Sequence, residues 1–492
     1  MELKYRSTRG NAAEYPASKA IIKGLADDGG LFVPLFIPKL DRSIDSLVGC
    51  GYKEIAYEVM KLFFTDYTES ELKECIDKAY DSKFDTKDIA PLVKHGDQYF
   101  LELFHGPTIA FKDMALSILP HLLTCALKKN GINDRIVIMT ATSGDTGKAA
   151  LEAFADVENI SIIVFYPKGG VSAIQERQMV TQKGANTKVV GVRGNFDDCQ
   201  TGVKKMFNDA ALADELQNRG YRFSSANSIN IGRLIPQVAY YVYTYVKMVE
   251  KGEIASGDPI DVVVPTGNFG NILAGFYAKK MGVPFGKLVC ASNENKVLYD
   301  FFNSGTYDRR REFILTTSPS MDILISSNLE RLIYHSVADN GEATSALMND
   351  LAQKGIYSVN DASREFMDDF VGIFATEDQC AGMIRSYYEN CGYVIDPHTA
   401  VAAYANEVRK FDTPTRSVII STASPYKFAG SVLRSIDDSL VSEDDMEMAE
   451  RLSEISKVPV PPAVEKLRTA EVLHDTVCDI DKMQSVVEEW LS

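Results

Sequence analysis

Between residues 100 and 295 short apolar, β-branched runs alternate with stretches whose apolar positions recur at helical spacing. The runs are 136–140, 160–166, 188–192, 260–265 and 288–291, and the helical stretches between them include 148–154, 173–182, 198–208, 234–250 and 271–281. A strand that is apolar on both faces has no solvent side. The pattern therefore predicts a parallel sheet covered by helices on both faces. Ligands of such sheets bind beyond the carboxyl ends of the strands, which is where the Gly-rich turns of this chain fall.

Outside that region the pattern changes. Residues 17–25, 52–64 and 69–81 carry helix-spaced apolar positions, with the turn-rich Asp27-Asp-Gly-Gly-Leu-Phe-Val-Pro34 among them, so 1–95 reads as a mainly helical amino-terminal domain. An α/β domain over 96–295 follows. The more polar, irregular 296–385 reads as an insertion or small mobile subdomain, and 386–440 as a return to the α/β core through the apolar run 417–421. The acidic 437–450 and the turn-prone Val458-Pro-Val-Pro-Pro462 lead into an extension over 441–492 with no evident role.

Composition narrows the function classes. With 52 basic against 68 acidic residues, the net charge of −16 argues against nucleic-acid binding. A phosphorylated ligand must then be held by local, well-aimed donors rather than by a general positive field. No apolar run is long enough to span a bilayer, so no membrane partner is expected. The opening Met1-Glu-Leu-Lys-Tyr-Arg6 has no apolar signal core, and the eight scattered cysteines form no Cys-x-x-Cys pair. These features predict a cytoplasmic setting, free thiols and no metal site.

Three turns follow predicted strands. Thr142-Ser-Gly-Asp-Thr-Gly-Lys148 has Thr142 and Ala149 where a P-loop needs Gly and Ser or Thr, so ordinary nucleotide binding fails. Pro265-Thr-Gly-Asn-Phe-Gly-Asn271 opens a helix and suits a single small phosphate better than a dinucleotide. Ser421-Thr-Ala-Ser-Pro-Tyr-Lys427 supplies hydroxyls at a strand end. Lys112 follows an aromatic residue after a Gly-Pro-Thr turn and opens a predicted helix. Alone it reads as an exposed, solvated lysine; the combination with a phosphate-type turn makes it a candidate Schiff-base amine, which needs partial desolvation or a nearby cation. Other residues admit plainer readings: His105 packs the Gly-Pro turn or touches substrate, Asp396 caps a helix, Asp322 caps 323–332, and Arg309–Arg311 is a solvated charge run.

In combination these segments resemble the threonine synthase family, in the β-family (fold type II, tryptophan synthase β-like) of pyridoxal-phosphate enzymes. The likeness runs from Tyr5-Arg-Ser-Thr-Arg-Gly10 through Glu102-Leu-Phe-His-Gly-Pro-Thr108, Ser143-Gly-Asp-Thr-Gly147 and Asn227-Ser-Ile-Asn-Ile-Gly-Arg233. It continues through Gly267-Asn-Phe-Gly-Asn271, Ser318-Pro-Ser-Met-Asp-Ile323 and Asp396-Pro-His-Thr399 to Thr422-Ala-Ser-Pro-Tyr-Lys-Phe428. The helical amino-terminal domain and the long insertion resemble the longer fungal and bacterial branch. Many relatives carry Thr-Ala-His-Pro-Ala-Lys-Phe in the last motif, where this chain has Ser424 and Tyr426.

The resemblance implies a carbon–oxygen lyase that acts on phosphates, converting O-phospho-L-homoserine and water to L-threonine and phosphate, as a monomer or weak homodimer. By the same resemblance Lys112 is the Schiff-base lysine of pyridoxal 5'-phosphate. Gly267, Asn268, Phe269, Gly270 and Asn271 cradle the cofactor phosphate, and Thr422 meets the pyridine nitrogen. Thr108, Ser143, Gly144, Asp145 and Thr146 contact the substrate, and Asn227, Asn230 and Arg233 hold its phosphate. Two rival readings are a related lyase that releases a 2-oxo acid and an inactive binding homologue.

Overall fold

The computed structural model describes residues 2–142, 144–171, 173–207, 209–409 and 415–492. The parallel sheet expected from the apolar runs is two sheets. The larger runs in the order Phe370–Phe374, Phe285–Ser292, Ile260–Pro265, Ser417–Ser421, Gln98–Glu102, Leu92–His95, and is parallel except for the last strand. The smaller is parallel throughout: Val477–Asp479, Thr187–Arg193, Ile160–Pro167, Arg135–Ala141, Tyr221–Ser224. All eight residues of Ile160–Pro167 and all six of Ile260–Pro265 are buried, as central strands covered on both faces must be.

Three sequence-based boundaries move. Leu92–His95 is the antiparallel edge of the larger sheet, so the first domain ends before 95 rather than at it. That domain also holds a small antiparallel sheet of Tyr15–Pro16, Lys4–Ser7 and Phe32–Pro34 beside its helices. The stretch 296–385, read as an insertion or small mobile subdomain, contributes Phe370–Phe374, which pairs with Phe285–Ser292 as the other edge of the larger sheet. The extension is not separate either: Val477–Asp479 adds an edge strand to the smaller sheet, and helix Met483–Trp490 sets Met483 against Gly202.

Helix Ile231–Glu250 is the central post. It is buried on every side despite Pro236, as expected of a helix that is apolar nearly all round. Tyr52 packs edge-on against its Tyr243, while the hydroxyls of Tyr67 and Tyr80 donate to the carbonyls of Leu122 and Met114. The amino-terminal helices thus share one apolar core with the helices that follow Lys112.

Candidate active site

Residues that follow strands of both sheets meet: Asp145, after Arg135–Ala141, lies 3.0 Å from Lys427, after Ser417–Ser421. The turn that carries Lys112 is tied to the end of strand Ser417–Ser421: Phe111 N–H donates to the Thr422 carbonyl at 2.8 Å, and Ser424 N–H to the Ile109 carbonyl at 3.0 Å. Lys112 directs its Nζ inward, 3.7 Å from Asp145 Oδ2, and donates to Ser320 Oγ at 3.1 Å. Burial pulls its ammonium down to about 8; Asp145 opposes that shift, and Lys427 and Arg233 add to it.

Asp145 is the hub. It opens helix Asp145–Phe154 behind Gly144, which has a φ of +135° and whose missing Cβ would fall 2.4 Å from the Gln175 side chain. Only glycine fits there on both counts. Lys427 Nζ lies 3.0 Å from Asp145 Oδ1, Gln175 Nε2 donates to the same oxygen at 3.0 Å, and Ser320 Oγ donates to Oδ2 at 2.9 Å. Burial alone would raise this carboxyl, but Lys427 and Lys112 outweigh it and hold the group well below the usual carboxylate range.

The turn 266–271 packs against the segment 318–328. A side chain at 267 would collide with the Ser320 carbonyl at 2.8 Å, Ser326 Oγ donates to the Gly267 carbonyl, and Asn328 Nδ2 to the Asn268 carbonyl. Phe269 takes the left-handed φ of +64° and stacks its ring on Phe302, so only its backbone faces the site side of the turn. Asn271 Oδ1 accepts from both Tyr240 and Tyr241, and its Nδ2 is buried with no hydrogen-bond partner among the described residues.

Arg233 stands in the first turn of helix Ile231–Glu250. Its Nη1 donates to the Ala226 carbonyl at 2.9 Å, and its buried Nε has no partner among the described residues. Burial lowers its guanidinium to about 10, and no opposing charge among the described residues offsets that shift. Asn230 caps the same helix through Gly232 N–H and ties its amide to the Ile21 and Ser225 carbonyls. Asn227 is exposed, and Thr146 is half-buried. Thr108 turns its hydroxyl onto Asp113 at 2.6 Å, while its carbonyl receives Lys427 Nζ at 3.0 Å. Ser143 lies outside the described residues.

Several residues of the site were not assigned roles from sequence: Ser320, Lys427, Gln175 and His398. Asp396 does cap helix Pro397–Val408, with Pro397 at its first position, and also receives His398 Nδ1 at 2.9 Å, which leaves Nε2 to accept from Ser320 N–H at 3.2 Å. His105 sits between Asp85 and Glu102; burial lowers its pKa, yet these two partners outweigh it and hold it at about 9. Asp322 caps no helix over 323–332: it gathers Asn293, Asn295 and Thr316 into one knot, and the helix begins at Leu329. Of the arginine run, Arg311 pairs with Asp300 at 2.6 Å and Arg310 with Asp308 at 2.9 Å. Ser424 caps the turn Pro425–Phe428, and Tyr426 reaches the Val458 carbonyl, so the two departures from the relatives' motif serve local anchoring.

Residues 90–423 match the family described as pyridoxal-phosphate dependent enzyme, and residues 4–80 match the threonine synthase N terminus. The threonine synthase of Schizosaccharomyces pombe is 38% identical over 470 residues, covering 88% of this chain and 89% of that one. The chain belongs to the threonine synthase family. Human threonine synthase-like 1 is 40% identical over 96% of this chain, which spans 65% of that protein's length. The solved structure of the PLP-bound threonine synthase from Brucella melitensis superposes with a TM-score of 0.87 at 35% identity, covering 99% of this chain and 98% of that one.

The site fits the cofactor of the family. It offers a desolvated amine at Lys112, a side-chain-free approach at Gly267, and a buried Asn271 Nδ2 that lacks an acceptor. Among the described residues no cluster could hold a metal ion, and no helix is long and apolar enough to cross a membrane.

Proposed function

We propose that this chain converts O-phospho-L-homoserine and water to L-threonine and phosphate. The observation that carries the reading is Arg233, a buried guanidinium that has, among the described residues, no partner for its Nε and no opposing charge. It lies close enough to Lys112 to act on its ionisation. A buried cation without a counter-ion is costly, and a phosphorylated substrate supplies the missing charge. Its planar fork suits phosphate oxygens.

Lys112, Gly267, Asn268, Gly270, Asn271 and Thr422 would hold pyridoxal 5'-phosphate, with Phe269 contributing backbone only. When bound, the cofactor supplies the electron sink that makes the α- and then the β-proton of an amino acid removable. Lys112 takes the α-proton, because an amine titrating near 8 is both a competent base and a competent acid near neutrality. It then serves the β-carbon as the γ-phosphate leaves. Arg233 retains the phosphate as water adds, and Asp145 stays ionised beside Lys112 throughout. Gly144 and Thr146 would line the approach to the amino-acid end. Thr108, with its hydroxyl on Asp113 and its carbonyl on Lys427, holds the turn of Lys112, and Asn230 holds the helix start that aims Arg233. In this reading the protein works as a monomer or weak homodimer in the cytoplasm, where its eight free thiols stay reduced.

The test is incubation of the cofactor-loaded protein with O-phospho-L-homoserine, following phosphate, threonine and 2-oxobutyrate together. Equal phosphate and threonine support the proposal. Phosphate with 2-oxobutyrate instead identifies a lyase that releases a 2-oxo acid. Arg233→Ala is expected to raise KM about tenfold to a hundredfold, the scale of a lost charge-assisted hydrogen bond.

A further inference from the structure

Ser320 lies in the turn Pro319–Met321, far in sequence from every other group around Lys112. Its hydroxyl receives Lys112 Nζ at 3.1 Å and donates to Asp145 Oδ2 at 2.9 Å. A hydroxyl has one proton, and here Asp145 takes it. The lone pairs are therefore turned toward the lysine, and Ser320 can only accept from that amine. The position is also fixed by its backbone: the Ser320 N–H donates to His398 Nε2 at 3.2 Å, and the Ser320 carbonyl fills the space beside Gly267.

We propose that Ser320 is a catalytic residue whose hydroxyl, oriented by Asp145, binds an N–H of Lys112 and aims the amine while it carries a proton. The assignment rests on the reading of Lys112 as the base. When Lys112 gains a proton, the new N–H is shared between Ser320 Oγ and Asp145. When it gives the proton up, the hydroxyl keeps one remaining N–H engaged, so the lone pair points away from Asp145 and toward the reacting carbons. No other group need change its protonation. The charges that face this pair are Asp145 from helix Asp145–Phe154, Lys427 from the turn Pro425–Phe428 and Arg233 from helix Ile231–Glu250. His398 adds its field to Asp145 from helix Pro397–Val408. Ser320 is the neutral member that touches Lys112 directly.

The experiment uses the full-length chain freed of cofactor and trace-labelled with acetic anhydride across pH 6 to pH 10, about two units either side of the titration at about 8. Mass spectrometry of the Lys112 peptide reads the midpoint. Ser320→Ala removes an acceptor from the protonated amine, so the midpoint should fall by about one unit, and Ser320→Thr should restore it. In the loaded enzyme, kcat should fall roughly tenfold at unchanged KM. A merely structural part for Ser320 would leave the labelling midpoint in place. A midpoint in Ser320→Ala equal to that of the parent overturns the proposal. Should Ser320→Ala not fold, Ser320→Cys, with a weak acceptor of similar size, carries the same comparison and the same two outcomes. A shifted midpoint in a protein that releases no phosphate from O-phospho-L-homoserine leaves the Ser320 assignment standing and removes only the substrate reading.

Discussion

Two turns bring a lysine to the same carboxylate, and they do so on opposite terms. The turn 105–112 delivers Lys112, whose side chain keeps 12% of its surface exposed and whose amine has one hydroxyl partner besides the carboxylate at 3.7 Å. The turn 422–428 delivers Lys427, fully enclosed and held at 3.0 Å by both Asp145 Oδ1 and the Thr108 carbonyl. One amine is desolvated and loosely engaged; the other is locked. A shared anion therefore has one tightly enclosed partner and one loosely held partner. Lys427 keeps Asp145 charged, and Asp145 can then stabilise Lys112 in its protonated form without itself taking the proton.

Substitutions break this contrast in decreasing order of effect. Lys112→Ala should lower phosphate release from O-phospho-L-homoserine roughly a thousandfold or more while the protein still unfolds at the parent's urea midpoint. Lys427→Met should do the reverse first: it strands a buried carboxylate, and urea unfolding should register a loss of about 3–5 kcal/mol. Equal stability in the Lys427→Met protein would sink the distinction between the two lysines.

A third test concerns the base of the first turn. His105 is held at about 9, above its ordinary 6.5, so its pairing with Asp85 and Glu102 contributes fully below about 6.5 and is lost as pH rises through about 9. The difference in Tm between the parent and His105→Gln should shrink over that window; a constant difference would exclude the ion pair as its source. The mildest change is Tyr426→Phe, which removes the hydroxyl that anchors the second turn to Val458 and should cost about 1 kcal/mol in urea unfolding.

Much of the frame was legible in the sequence because a doubly covered strand has few ways to be written. The runs at 136–140, 160–166 and 260–265 all fall within strands of the two sheets. Edge strands such as Leu92–His95 and Val477–Asp479 escaped because one side faces water and their patterns are short and mixed. Phe370–Phe374 escaped because its flanks are polar. In the site, Lys112 and the turn 267–271 could be picked out by motif, since their chemistry is local to the backbone around them. Ser320 and Lys427 could not be given roles, because each meets Lys112 or Asp145 only by reaching in from a distant part of the chain. A signal for Lys427 was present: a lysine inside a short strand-end motif otherwise made of hydroxyl, aromatic and turn residues. It reads as surface charge until the fold encloses it.

Strand Ser417–Ser421 lies between Ile260–Pro265 and Gln98–Glu102. On the ribosome those two neighbours emerge long before the strand that separates them. For most of synthesis the larger sheet is thus two half-sheets, each presenting an unpaired inner edge to whatever strand is at hand. Folding of that layer must wait for one five-residue segment to thread into the gap, and the same event brings Thr422 and Lys427 against the turn of Lys112. Assembly of the candidate site and closure of the sheet then fall in a single late step, so a nascent chain cannot hold that site before its scaffold is nearly whole.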